Sequence, residues 1–142
     1  DADFSHDPAA IPELIGLALQ GYQLVIGSRY VPGGGLKNCS WKRILVSRLA
    51  NLYARRKLGW PFRDCSSAYR CYDVAMLKEL DFSALTCTGY GFLEEILWYL
   101  WKRQAKIAEF PIVYTERQHG HSKISAAEGR NAAAVIRRLS KM

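Results

Sequence analysis

A short, unbroken apolar run is the feature that most limits how this chain can fold. Within Gln23–Gly27, the run Leu24–Ile26 carries no polar residue, which is typical of a strand covered on both faces. Gly21 separates it from a predicted helix over Ile11–Gln20, where Pro12 suits the first helical turn. A strand covered on both faces needs helices packed against it, so this segment predicts an α/β fold.

Downstream of the first strand, helices and strands continue to alternate, which supports the same fold class. The chain has 142 residues, enough for one domain with its own core, and we expect a single domain over residues 1–142. The predicted elements are a basic helix over Trp41–Lys57 with Leu45, Leu49 and Leu52 on one side, a strand over Ser66–Tyr72, a helix over Asp73–Leu80 with Asp73 as N-cap, a helix from Gly89–Gly91 to Gln104, a strand over Lys106–Thr115 with Pro111 indicating an edge or a bulge, and a last helix from Ser125.

Composition indicates a globular protein with anionic partners. Hydrophobic residues make up 49% and charged residues 23%, and the net charge is +7. Such a charge favours phosphates, nucleic acid or an acidic membrane surface, although it also serves solubility alone. No apolar run reaches the roughly 18 residues of a membrane helix, so we expect any membrane contact to be peripheral. The 4 cysteines form no C-x-x-C pair, and we expect them reduced and buried, as in a cytoplasmic protein.

The first three residues carry a D-x-D pattern. In an extended segment Asp1 and Asp3 point to the same side, and two carboxylates make a hard oxygen site for Mg²⁺ or Mn²⁺. A substrate diphosphate would complete the coordination. The alternative is a solvated turn before a helix. Because the chain begins at this pattern without Met, we expect it to be a fragment.

Several basic residues are placed where phosphates bind in α/β folds. Arg29 follows the first strand, and its planar fork suits a phosphate. Gly33–Gly35 could form a flap over a substrate, or a mere linker. Arg43 and Ser47 are four residues apart and share a helix face, where a cation beside a hydroxyl suits a phosphate. Solvent exposure is the alternative for each of these side chains.

The polar loop from Arg117 to Lys123 is a second candidate phosphate site. It follows a predicted strand and contains His119 and His121, but with no third ligand in view the sequence favours phosphate over zinc. Glu94 and Glu95 interrupt an apolar helix, so we expect one of them to face a site or a buried cation. The alternative is a favourable interaction with the helix dipole near its N-terminal end.

Together these segments resemble the polyprenol-phosphate mannosyltransferases among the family 2 glycosyltransferases. The likeness covers nearly the whole chain, and it depends on the order of the motifs rather than on any one of them. The segments that carry it are Asp1–Asp3, His6–Pro8, Leu24–Val31, the glycine loop, Arg43 with Ser47 and Asn51, Asp64–Tyr72, Gly89–Phe92 with Glu94 and Glu95, Glu109–Ile112, and Arg117 with Gly120, Ser122 and Lys123.

The resemblance implies a GT-A fold, Rossmann-like and here partial, starting at the D-x-D motif. It implies a divalent metal, Mg²⁺ or Mn²⁺, on Asp1 and Asp3. It also implies catalytic roles for Asp3, Arg117 and Lys123. The resemblance also implies that the following residues bind phosphate: Arg29, Arg43, Ser47, Arg117 and Lys123.

Two departures from the family pattern put details of this carry-over in doubt. Ser5 stands where relatives commonly have Gln, which questions a third protein ligand to the metal. Ala68 stands where they usually have Gly, and this would cost stability if the position needed a positive φ. The family's nucleotide-recognising half precedes the D-x-D, so we expect the isolated 142-residue chain to be inactive.

The implied reaction is inverting transfer of mannose from GDP-mannose to a polyprenyl or dolichyl phosphate at the cytoplasmic face of a membrane. One alternative is a related family 2 enzyme with another donor, such as UDP-glucose, or another acceptor. A second is a nucleic-acid-binding module, disfavoured because the basic residues are spread over several elements. A third is a non-catalytic remnant. The last helix, Ser125–Met142, could lie on an anionic membrane, but packing on the sheet is the favoured expectation.

Overall fold

The computed structural model describes residues 5–87, 89, 91–116 and 126–142, and shows a mixed α/β architecture. Two short 3₁₀ turns, Pro8–Ala10 and Phe82–Ala84, accompany the regular elements. The predicted fold class is therefore confirmed. In chain order the elements are α1 (Ile11–Leu19), β1 (Leu24–Ser28), β2 (Gly35–Lys37), α2 (Trp41–Leu58), β3 (Arg70–Tyr72), α3 (Val74–Lys78), α4 (Gly91–Lys102), β4 (Ile107–Pro111), β5 (Val113–Thr115) and α5 (Ala126–Leu139).

Strand β1 is the centre of the described fold. It pairs with β3 in the antiparallel sense and with β4 in the parallel sense, giving the order β3-β1-β4. All five of its residues are buried, as the apolar run predicts. Gly27 is required here, because a Cβ at this position would stand 2.9 Å from the Tyr69 ring. A separate two-stranded parallel sheet joins β2 to β5.

The predicted strand over Lys106–Thr115 is in fact two strands in two sheets. β4 lies at the edge of the larger sheet and ends at Pro111, which lacks the amide needed to continue a ladder. After Ile112 the chain moves to β5 and pairs with β2. The expected edge or bulge at Pro111 is thus confirmed as an edge. The strand predicted over Ser66–Tyr72 is shorter, since only Arg70–Tyr72 pair.

Helix α2 has the predicted position but not the burial pattern that its apolar side suggests. Ser40 caps its first turn, and Gly59 ends it in the left-handed conformation, with φ of 67°. Its buried residues are Asn51 and Ala54, whereas the side that carries Leu45, Leu49 and Leu52 is exposed. The described part of the fold therefore leaves an apolar stripe of this helix on the surface.

The main core lies between α2, α4 and α5. Leu97 and Leu100 of α4 are completely buried, and Ile136 and Leu139 of α5 pack with them. The last helix therefore packs on helices α4 and α2 rather than on the sheet, which corrects the favoured expectation for it.

Two further sequence expectations are settled by the described residues. All 4 cysteines lie within the described residues and are reduced, as expected, but only Cys65 is buried, so their expected burial is wrong for the other three. Among described residues other than glycine, positive φ occurs only at Asn38 and Gln104. Ala68 therefore needs no glycine-like conformation, and this departure from the family pattern carries no backbone strain.

Candidate functional site

A buried ion pair fixes the loop that follows β1. The Arg29 side chain is 14% exposed and that of Asp64 is 0% exposed. Nε of Arg29 donates to Oδ2 of Asp64 at 2.7 Å, Nη2 donates to Oδ1 at 2.7 Å, and the Arg29 amide donates to Oδ2 at 3.0 Å. Burial would lower the pKa of Arg29, but the hydrogen bonds and charge of Asp64 outweigh it, so that pKa is raised. Most of the Arg29 fork is thus used inside the protein.

A side-chain amide then ties this pair to α2. Nη2 of Arg29 also donates to Oγ of Ser66 at 2.9 Å, and Nδ2 of Asn51 donates to the same oxygen at 3.1 Å. Oδ1 of Asn51 accepts from the Cys65 amide at 2.6 Å. Asn51 therefore binds the segment after Asp64 to the middle of the helix, which explains why a polar residue is buried there.

The predicted pair on α2 occupies the first two turns of that helix, and its two members have different partners. Oγ of Ser47 accepts from the Tyr30 hydroxyl at 2.6 Å, so Ser47 faces the loop that begins with Arg29. Arg43 forms an ion pair with Glu116 through Nη1, and its Nη2 donates to the Tyr114 hydroxyl at 3.3 Å. The Arg43 side chain is 28% exposed, so it can reach a ligand as well as Glu116.

The residues just after the D-x-D pattern are anchored at β5. The Ser5 carbonyl accepts from the Thr115 amide at 2.9 Å. The His6 ring stacks on Tyr69 with centroids 4.9 Å apart and meets Tyr114 edge to face at 5.3 Å. Ser5 is two residues after Asp3 in the sequence, and Thr115 is two residues before Arg117. The segment that follows Asp3 and the segment that precedes Arg117 are therefore joined by the hydrogen bond between Ser5 and Thr115.

Asp1, Asp3, Arg117, His119, His121 and Lys123 lie outside the described residues, as does the proposed metal site. Within the described ranges, no group of three or more metal-ligating side chains could hold an ion. Of the predicted phosphate ligands, Arg29, Arg43 and Ser47 are described. Ser47 and Arg29 are joined through Tyr30, whereas Arg43 lies towards β5.

The two glutamates of α4 are both buried but differ in their partners. Glu95 is fully buried, accepts from the Cys87 amide at 3.0 Å, and forms an ion pair with Arg138 of α5. One of the two carboxylates therefore meets a cation, as expected, but the Arg138 side chain is 39% exposed and not buried. Oε2 of Glu94 has no hydrogen-bond partner among the described residues, and burial raises the pKa of Glu94 to about 7.

Sequence reasoning missed the acidic partners in this region. Asp64 and Glu109 are the carboxylates that order the loop before β3: Glu109 accepts from the amides of Arg63 and Asp64 at 2.8 and 2.9 Å. The only sequence signal was their presence in the family-like segments, because their partners are 35 and 45 or more residues away.

Comparison with known proteins gives a consistent result. The profile described as "Glycosyl transferase family 2" matches residues 1–81. The chain is 39% identical over 132 residues to a polyprenol monophosphomannose synthase from Mycolicibacterium smegmatis, covering 93% of this chain and 50% of that protein. It is 38% identical over 125 residues to an undecaprenyl-phosphate mannosyltransferase from Micrococcus luteus, covering 88% and 51%.

A third relative is more distant. The chain is 30% identical over 142 residues to a dolichol-phosphate mannosyltransferase from Pyrococcus furiosus, covering 100% of this chain and 39% of that protein. The chain thus spans about half the length, or less, of these curated relatives.

Proposed function

Because this chain belongs to glycosyl transferase family 2, whose members have the GT-A fold, we propose that it takes part in transfer of mannose to a polyprenyl phosphate. The names of its relatives support both the sugar and the acceptor class. The observation that carries the proposal is the Ser5–Thr115 hydrogen bond beside the Arg43–Glu116 pair. These two interactions hold the segment after Asp3 and the guanidinium of Arg43 at the end of β5, next to the segment that leads to Arg117.

In the proposed reaction, an oxygen of the lipid phosphate attacks the anomeric carbon of the sugar from the side opposite the leaving group. A carbon–oxygen bond to the acceptor forms, the bond to the nucleotide diphosphate breaks, and the configuration inverts. The phosphate is already anionic near neutral pH, so no strong base is needed. The protein has to position two anions and stabilise the charge on the leaving diphosphate.

We assign the acceptor phosphate to Arg43 and Ser47, with Arg29 holding the loop that carries Tyr30. Arg43 is half-exposed, and Ser47 is fixed by the Tyr30 hydroxyl, so both are ordered without being sealed from a ligand. Arg29 acts mainly through its neighbours, since Asp64 and Ser66 occupy its Nε and Nη2. Arg117 and Lys123 are proposed for the diphosphate, by the family resemblance alone.

A divalent ion, Mg²⁺ or Mn²⁺, is proposed on Asp1 and Asp3, where it would neutralise charge on the diphosphate. Described residues contribute to this proposal only by anchoring the segment that follows: Ser5 at Thr115, and His6 between Tyr69 and Tyr114. Ser5 is 3% exposed and buried in this anchor, so we expect two carboxylates and the substrate, rather than a side chain at this position, to bind the ion.

We further propose peripheral contact with the membrane that holds the acceptor, through α2. Trp41, Leu45 and Leu49 of its exposed stripe are 69%, 47% and 54% exposed. Cations on both sides of the stripe, from Lys42, Arg48 and Arg56, would meet anionic lipid headgroups. No described helix is long and apolar enough to cross a membrane. The cytoplasmic face is the proposed location, because nucleotide sugars are used there.

GDP-mannose is the proposed donor and UDP-glucose the retained alternative. The test is a transfer assay on the intact protein with each labelled donor, Mg²⁺ or Mn²⁺ and a short polyprenyl phosphate, counting label in the organic phase. Metal-dependent label from GDP-mannose, lost in Asp3→Ala, would support the proposal. Label from UDP-glucose alone would show that the donor is UDP-glucose and not GDP-mannose. No extractable label from either donor would refute a polyprenyl phosphate as the acceptor.

A further inference from the structure

Four arginine side chains line one open cleft between the glycine loop and α2. The cleft has a volume of about 580 Å³, and Arg29, Arg48, Arg55 and Arg63 contribute to its wall. Gly34 closes one side so tightly that a Cβ there would stand 2.5 Å from the Ser28 carbonyl oxygen. The cleft is therefore shaped by backbone as well as by long side chains.

Described residues leave the positive charge of this cleft largely uncompensated. Asp64 neutralises Arg29, but no described residue forms an ion pair with Arg48, Arg55 or Arg63. No carboxylate is among the described residues that line the cleft. Glu109, which accepts from the Arg63 amide, uses its second oxygen on the Asp64 amide. Three like charges around one cleft repel each other unless an anion lies between them.

One buried donor in the cleft has no acceptor among the residues that the structure describes. Nε of Arg55 is shielded from solvent and has no hydrogen-bond partner among the described residues. The nearby amide of Asn51 is already used, since its nitrogen binds Ser47 and Ser66 and its oxygen binds Cys65. A buried guanidinium donor without an acceptor is costly, so this position favours a ligand that supplies an oxygen.

The cleft adjoins the place assigned to the acceptor phosphate, since its wall residue Tyr30 donates to Ser47, and it extends from there along α2. Arg43 lies 12 positions before Arg55 on the same helix, which corresponds to roughly 18 Å at 1.5 Å per residue. Arg43 binds Glu116 and Tyr114 at the β5 side, and neither Arg43 nor Ser47 lines the cleft.

We propose that this arginine cleft binds a phosphate group at a second site, beside the residues assigned to the acceptor phosphate. Guanidinium forks at Arg48, Arg55 and Arg63 match the spread oxygens of a phosphate, which forms strong, charge-assisted hydrogen bonds with arginine. The phosphate comes either from a phospholipid headgroup or from a soluble phosphate compound. A headgroup is compatible with the position, because Leu52 belongs both to the cleft wall and to the exposed stripe of α2.

The test follows the Arg55 Nε–Hε signal of the intact protein by NMR during titration with two probes. One probe is inorganic phosphate; the other is a phosphatidylcholine vesicle with or without phosphatidic acid. A shift with inorganic phosphate identifies a soluble source. A shift only with vesicles that contain phosphatidic acid identifies the headgroup. Absence of any shift in both series overturns the proposal.

Variants separate a defined site from diffuse attraction. Arg55→Gln/Arg63→Gln removes two cleft cations, and Arg103→Gln/Arg137→Gln removes two exposed cations elsewhere, at the same net charge. We expect about tenfold weaker binding or more for the first double variant and less than about twofold for the second. Equal weakening in both would refute a built site.

If the variant Arg55→Gln/Arg63→Gln does not fold, the single variant Arg55→Lys provides a second test. It keeps the charge and removes the buried Nε donor, so we expect several-fold weaker binding, and unchanged binding would contradict the role of that donor. None of these readings depends on sugar transfer. If the intact protein binds phosphate in the cleft but transfers no mannose, the proposed function is refuted and the cleft proposal is not.

Discussion

Replacing Asp64 by alanine removes the carboxylate that holds the loop after β1. Three groups of Arg29 donate to it at 2.7 to 3.0 Å, and the carboxylate is completely buried. Removal of one partner of a buried pair costs about 3–5 kcal/mol, because the other charge stays buried. Since Arg29 keeps 14% exposure and can be partly hydrated, we expect the lower end, about 3 kcal/mol.

The assay is urea unfolding of the intact protein, followed by circular dichroism. Asp73→Ala is the matched control: it removes an exposed N-cap aspartate of α3 and should cost about 1 kcal/mol. The double variant Arg29→Met/Asp64→Leu should be more stable than Asp64→Ala, since no buried charge is left alone. If Asp64→Ala costs no more than Asp73→Ala, the buried pair does not hold this loop.

Two other predictions concern pH and backbone conformation. The pKa of Glu94 is raised from 4.5 to about 7 by burial, so the folded state keeps a proton that the unfolded state has lost. The contribution of Glu94 to the free energy of unfolding should therefore be largest below pH 4.5 and fall by roughly 3 kcal/mol between there and pH 7. Glu94→Gln should flatten that fall in urea titrations at several pH values, and an unchanged slope would exclude Glu94 as its source. Gly59→Ala should lower stability by about 1 kcal/mol because φ is 67°, whereas Gly16→Ala, in an open position of α1, should raise it by about 0.5–1 kcal/mol. Equal effects in thermal unfolding would contradict this contrast.

The elements that could be predicted from sequence are those whose local signals agree with their surroundings. The run Leu24–Ile26 is buried because it is the central strand, and Asp73 and Gly59 cap helices through interactions within a few residues. The division of Lys106–Thr115 into two strands was not predictable, since it depends on β2 and β1, which are distant in sequence, as partners.

Burial of α2 could not be predicted for a related reason. Leu45, Leu49 and Leu52 have the spacing of a core face, but another face of the helix is buried. That face packs Ala54 into the core and carries Asn51, whose partners lie 14 and 15 residues away. The pattern of apolar residues does not tell whether a face meets protein or another apolar surface.

Within the candidate site, residue types were predicted better than partners. Arg43 and Ser47 were selected as cations and hydroxyls suited to phosphate, and that role stays a prediction. That Glu116 pairs with Arg43, and Asp64 with Arg29, follows only from the folded arrangement. Such pairs decide whether an arginine is available to a ligand, so the assignment of roles needs the structure.

The proposed function depends on Arg43 as a ligand of the acceptor phosphate, and this role can be measured in a kinetic comparison. We would measure kcat/KM for a short polyprenyl phosphate with Arg43→Gln and with Lys78→Gln, an exposed control on α3, in the intact protein. If Arg43 binds the acceptor phosphate, kcat/KM should fall about 100-fold or more for Arg43→Gln and change by less than about twofold for Lys78→Gln. Equal activity of the two variants would contradict it.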